Sequence, residues 1–464
     1  MLLLQGAHTP ERDRTDAFAD YARRRGDGEV LCPPLLLPEW ERRLYVRRTI
    51  REDHQFRILN RPEGAQHKFD KLAGDAFDFF RGTALLFYRD HAGMDAHLPA
   101  VFTLGDVHPE NFGVMPNEDD TPIFGVNDFD EAAFAPFSYD VKRGATGFWL
   151  AAKANGLSKK RRRKVVRAFV RGYLAGLEEM AKDDREKWHE YRIDNSPPLI
   201  RDLLKGALES RKTFLKDKVD SEKGRFRPTE EIVPHSAHKA DFQKVIDRYV
   251  KENGVEPVDG RKGFFTVRDV AIKKGSGTAS LGLDRFWVLV EGPTEALETD
   301  VLLELKQARR SALRGLVPPQ SIPDGADAGD EAEQIVAAQH VHLVGGDPFY
   351  GRVDIDDQPF LVRERSPYKD EVDLEGLDAD GLRAYASICG KALAQPHARS
   401  DEDTGVMEGN AEETILASVE PALFADDVVR FAEAAARRIR ADWKLFRADH
   451  ACGAFEFYRP ERTE

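Results

Sequence analysis

A chain of 464 residues is too long for one compact core and long enough for two or three domains. Its net charge of −13 argues against general nucleic-acid binding, because a polyanionic partner calls for an excess of Lys and Arg; the basic run 161–164 reads as a solvated helix face. Cys32, Cys389 and Cys452 are too scattered for a disulfide framework or a zinc knuckle, the opening apolar run is too short for a secretory segment, and no apolar stretch approaches the ~18 residues of a membrane span, so a cytoplasmic chain without a membrane partner is expected.

Residues 1–38, rich in charge and proline, predict a loosely ordered segment. Residues 39–93 predict helices, with Phe69, Leu72, Ala73, Ala76, Phe77 and Phe80 recurring as one buried face. A strand is expected over 98–104, stopping at Gly105, and then a hairpin of 111–114 with 122–126 around the turn-rich 116–120. Helical periodicity follows from 138 to about 177 and continues, with a charged, turn-containing middle, to about 250. After Gly260 five short strands are predicted, over 264–272, 285–291, 301–305, 349–355 and 359–364, with a helix over 331–344 and a Pro-, Gly- and Asp-rich connector over 317–329. Amphipathic helices are expected over 382–397 and 421–445. The chain therefore divides into the N-terminal segment 1–38, a helical unit 39–254, a sheet-rich unit 255–370 and C-terminal helices 371–464 that complete the helical unit.

The most informative stretch is Leu104-Gly105-Asp106-Val107-His108-Pro109-Glu110-Asn111, followed by Asn127-Asp128-Phe129-Asp130. Singly these are ordinary turn formers. In this order, joined by an apolar hairpin, they have the layout of a phosphoryl-transfer site, where catalysis is mostly positioning and the neutralising of phosphate charge by oxygen-bound Mg²⁺. Asp128 would bind metal, with Asp130 beside it; Asn111 would give a neutral oxygen to a second metal; Asp106 would act as general base on an acceptor hydroxyl. His108 reads either as a loop-shaping hydrogen-bond donor or as a contact to substrate.

The loop is similar to that of small-molecule phosphotransferases, roughly H-G-D-x-H-x-x-N, with Leu104 in place of the first His. Asp140 resembles the Asp that opens their following helix and supports the loop, and reads equally as a carboxylate favoured by the helix dipole. Further on, Gly275, Gly277 and Gly282 form a turn between two strands, where backbone N–H groups can approach phosphates, and Lys306 on the next strand can reach the same oxygens. Glu333 is the candidate partner for Lys306, with Glu331 almost as good; Arg363 and Arg365 could contact phosphate or pair with Glu364 and Asp370.

Phe79-Phe80-Arg81-Gly82, Gly105-Asp106-x-His108, Asn127-Asp128-Phe129-Asp130-Glu131, the glycine turn, Leu305-Lys306 and His397-Ala398-Arg399-Ser400 together resemble a bacterial family, domain of unknown function 2252, over nearly the whole chain. The resemblance implies a kinase-like enzyme with no settled substrate, and adds Arg81 as a possible site residue, unless it pairs locally on a helix surface. The expectation is an α+β, protein-kinase-like two-lobed fold and an ATP- and Mg²⁺-dependent phosphotransferase acting on an unidentified small-molecule or protein acceptor. Because Asp106, Asn111 and Asp128 precede Gly277 and Lys306, opposite to the usual order, a circular permutation is also expected. Competing readings are a nucleotide-binding protein without activity, an AMP-transferring enzyme, and a metallophosphoesterase using His340 and His342.

Overall fold

The computed structural model describes residues 10–220, 222–255, 261–275, 282–323, 329–368 and 370–457. The architecture is mixed α+β, a helical body joined to an antiparallel sheet, and no helix among the described residues is long and apolar enough to cross a membrane.

The alternation of side chains along a strand explains how the sheet is covered. Six strands lie in the order Gly351–Ile355, Gln358–Glu364, Val301–Gln307, Arg285–Val290, Val267–Lys273, Ile232–Pro234. All neighbours are antiparallel. On the central strand Val301, Leu303 and Leu305 join Val270, Val288 and Val362 against Phe242, Ile246 and Tyr249 of the Lys239–Asn253 helix. The even positions face the other way. Leu302 meets Phe214, Leu215 and Phe226, while Glu304 and Lys306 lie further along the same face, beyond that apolar cover. The five predicted strands are present. The sixth, Ile232–Pro234, and the 239–253 helix lie in a region expected to be part of the helical unit; their apolar residues are too few for a core of their own and are buried only against the sheet.

In the helical body the Ala100–Thr103 strand pairs with Ala133–Pro136, Phe102 stacking on Phe134. The Phe112–Pro116 and Pro122–Val126 hairpin is inserted between them, so the loops after residues 103 and 126 emerge close together. The helices Lys159–Asp183 and Ala379–Ala398 pack almost backbone to backbone. A Cβ on Gly390 would stand 2.7 Å from Tyr173 N and closer still to Phe169 O, and one on Gly172 would meet the Ser387 carbonyl. The Pro421–Ala451 helix covers Ser138–Ala154.

Residues 10–38, expected to be loosely ordered, carry the helix Thr15–Gly26. It is held because Ala22 is fully buried and Arg14, just ahead of it, donates to Glu52 at 2.9 Å.

Candidate active site

The loop 104–111 is shaped by three fixed points. Gly105 has φ +76°, and a Cβ there would stand 2.6 Å from the Glu131 carbonyl carbon, so only glycine passes. The buried carboxylate of Asp140 accepts the N–H groups of Leu104 (2.6 Å) and Gly105 (2.9 Å). From the far end of the chain, His397 Nε2 meets the same carboxylate at 3.1 Å, and Tyr385 donates to the Pro109 and Phe112 carbonyls at 2.7 and 3.2 Å. The Ala379–Ala398 helix thus backs the loop, with an imidazole at Asp140 although Leu104 replaces the expected loop histidine.

Asp106 receives Arg143 Nε on Oδ1 at 2.7 Å. Arg143 is fully buried over the rings of Phe80, Phe87 and Tyr88. His108 departs from its expected role as donor: its Nδ1 accepts the Glu110 N–H at 3.2 Å, which puts the ring proton on Nε2, 4.0 Å from Asp106 Oδ2. Burial, followed by Arg81 and Arg143, holds the imidazole well below its usual range and therefore neutral. Asn111 donates through Nδ2 to the Asp106 carbonyl at 2.6 Å, which leaves its amide oxygen as the acceptor end. Arg81 pairs with Glu110 and, at 3.5 Å, with Asp78.

Asp106, Asn111 and Asp128 from the helical body and Lys306 and Arg363 from the sheet line one cleft of about 420 Å³. Lys306 pairs with Asp130 rather than with a helix glutamate, so Asp130, expected among the metal ligands, is engaged by a cation. Burial opposes charge on Asp130, but Lys306, together with Arg363 and Arg309, holds the carboxyl below its usual range. Asp128 differs: burial and then the Asp130 charge push its carboxyl up, and its described hydrogen bond is a long one, 3.3 Å from Asp130 N. An Asp carboxylate needing a counter-charge, with an Asn amide oxygen in the same cleft, suits a hard cation whose other ligands are phosphate oxygens and water. Among the described residues no group of three or more His, Cys, Asp and Glu forms a closed metal cage. His342 turns instead to the Phe102 carbonyl at 2.7 Å, so the H-x-H pair does not join the cleft.

Other expected residues lie elsewhere. Glu333 closes a capping box with Asp330 and pairs with Arg352 at 2.6 Å, and Glu331 is 3.7 Å from Arg314; both serve the helix N-terminus, where backbone N–H groups favour carboxylates. Gly275 and Gly282 adopt φ +73° and +82° against Glu231 and Gly64 and do not line the cleft; Gly277 lies outside the described residues. Arg363 bonds Glu304, not Glu364, at 2.8 Å through Nε.

Four residues were missed from sequence: Arg143, Tyr385, Arg285 and Glu304. Arg143 had a signal, one helical turn after Asp140. Glu304 and Arg285 had only strand alternation, which does not say which face meets a cleft.

No curated protein and no solved structure matches the chain. The family model described as "Uncharacterized protein conserved in bacteria (DUF2252)" matches residues 60–449, which include every residue of the cleft and its supports named above, and the chain belongs to that family.

Proposed function

We propose that this chain is a Mg²⁺- and ATP-dependent phosphotransferase of kinase-like, circularly permuted organisation, acting on a hydroxyl acceptor. The observation that carries this reading is the meeting of Lys306, from the sheet, with Asp106, Asn111 and Asp128, from the helical body, across one cleft. Support for the permutation comes from the Ala379–Ala398 helix, which follows the sheet in the chain and backs the Asp106 loop through Tyr385 and His397.

In this reading each residue has one task. Asp106 is held through Oδ1 by Arg143, so Oδ2 is the oxygen available to take the acceptor proton. Asp128 and the Asn111 amide oxygen would hold Mg²⁺, which when bound neutralises phosphate oxygens. Lys306 adds a fixed positive charge, itself oriented by Asp130. The neutral His108 keeps the loop closed without competing for that proton.

Calorimetric titration with the four common nucleoside triphosphates, with and without Mg²⁺, tests the reading. Mg²⁺-dependent binding is expected for at least one. Absence of binding at millimolar concentration overturns it.

A further inference from the structure

His397-Ala398-Arg399-Ser400 closes the Ala379–Ala398 helix, and His397 supports the catalytic loop through Asp140. Arg399 turns to another element. Its Nε donates to the Val341 carbonyl at 2.7 Å, and its Nη2 to those of Leu343 and His340 at 3.2 and 3.4 Å. A cation thus caps the C-terminus of the Glu331–His342 helix, which carries Gln339, and Leu343 just after it, to the cleft wall. The Nη1 of Arg399 reaches the Glu186 carbonyl at 3.4 Å, and Gln395 holds that same oxygen at 3.1 Å and the His189 carbonyl at 2.7 Å.

Four carboxyls gather around this joint. Glu186 follows the Lys159–Asp183 helix, Asp401 and Asp403 follow Arg399, and Glu412 lies in the Ala411–Ser418 helix. Glu186 and Glu412 are each 1% exposed, and the Oε2 of each is buried without a hydrogen-bond partner. Asp401, also buried, accepts Asp403 N at 3.0 Å and Ala411 N at 2.9 Å. Two cations stand nearby. Lys187 pairs with Asp403 at 3.0 Å and with Asp184 at 3.2 Å. Arg399 faces Asp403, Glu186 and Asp401 but is engaged with carbonyls. His189 adds no charge, because burial and then Arg185 hold its imidazole below the usual range.

An ionised carboxylate buried without a partner is costly, so such a group takes up a proton or a cation. Among the described residues no group of three or more His, Cys, Asp and Glu is arranged to hold a metal ion, which leaves the proton. Burial pushes the Glu186 carboxyl up to about 7, its own backbone N–H only partly offsetting it, and Glu412 and the adjoining Asp403 add to the rise. Burial and then the Asp401 charge push Glu412 up as well.

We propose that Glu186 is a proton-operated latch: protonated, it donates to Asp403 and ties the 184–189 segment to the stretch 399–412; ionised, it repels Asp403 and Glu412 and loosens the joint beneath Arg399. Asp403, its charge held by Lys187, is the acceptor, so one proton serves the pair. The open form binds that proton in the ordinary carboxylate range, near 4.5, and the closed form near 7. The advantage of the closed form is therefore full below 4.5 and is lost as pH rises through 7. The latch works whatever the cleft binds.

Hydrogen exchange of the full-length protein between pH 5 and 8, corrected for intrinsic chemistry, reads the opening of 184–189 and 399–412. In wild type the opening constant should rise by up to about tenfold per pH unit and level off above 7. Glu186→Gln keeps a donor and cannot ionise, so it should stay at the low-pH level throughout. Glu412→Gln removes a neighbouring charge and should move the levelling-off to lower pH; it serves alone if Glu186→Gln does not fold. A pH-independent wild type, a Glu186→Gln profile that keeps the wild-type slope, or a Glu412→Gln profile that does not move overturns the proposal. Closing of the same segments at pH 8 by Ca²⁺ or Mg²⁺, abolished in Glu186→Gln, also overturns it, since the cluster would then be a cation site.

Discussion

Arg143 holds Asp106 through a 2.7 Å hydrogen bond from Nε to Oδ1, and three aromatic rings, of Phe80, Phe87 and Tyr88, pack on the guanidinium. The pair is buried, so removing one partner strands the other. Arg143→Leu is expected to cost about 3–5 kcal/mol of stability and to abolish transfer. Arg143→Leu combined with Asp106→Asn should recover part of the stability and none of the activity. Denaturant melts of the four proteins measure the coupling directly. Additive losses would show that the two side chains do not support each other.

The two aspartates should fail differently. Asp106→Asn keeps the shape of the side chain and removes the carboxylate proposed as the base, so nucleotide affinity should stay within about twofold while turnover falls by roughly 10²–10⁴. Asp128→Ala removes the cleft carboxylate that burial and Asp130 leave in need of a cation, and should weaken Mg-nucleotide binding itself. Binding isotherms and single-turnover rates on the same preparations separate the two effects.

Glu333 and Lys306 give a paired control. Lys306→Met removes the cation facing the cleft and leaves Asp130 without its partner, so ATP affinity should fall at least tenfold. Glu333→Ala breaks a helix cap and the pair with Arg352, so it should lower stability by about 1 kcal/mol and leave ATP affinity unchanged. A large loss of binding in Glu333→Ala would restore the partnership expected from sequence.

Gly390 tests the support beneath the loop. An alanine there would press on Tyr173 N and the Phe169 carbonyl across a backbone-to-backbone contact that no side-chain rotation relieves. The expected cost is about 3 kcal/mol or more. Because the same helix carries Tyr385 and His397 to the Asp106 loop, activity measured well below the melting temperature should fall as well.

Acid should weaken the fold through buried histidines. Burial pushes His91 and His342 down to about 4, the hydrogen bonds to the Phe87 and Phe102 carbonyls only partly offsetting it. The unfolded chain takes up a proton near pH 6.5 and the folded chain only near 4, so the unfolded state binds more protons in between. Their contribution to stability is full above 6.5 and is lost as pH falls towards 4. Melting temperatures across that window, for wild type and His342→Gln, should show a shallower acid slope in the variant.

Local pattern alone determined a good part of this protein. The alternation in 301–305 and its neighbours marked the strands, and the order Asp106, Asn111, Asp128 around a hairpin marked a cleft, because strand ends and turns are set by residues close in sequence. Local pattern could not say which face of a strand is solvated, nor which distant charges share a buried space. Lys306 was assigned a helix glutamate by analogy, but strand pairing and the loop after residue 126 bring Asp130 to it, 176 residues away in the chain, while Glu333 stays at its own helix start. Arg143, His397 and Tyr385 likewise matter only because the tertiary structure sets the backs of two helices against one loop. Burial then decided the chemistry, raising Asp128 and keeping His108 neutral, since only the folded chain removes those groups from water.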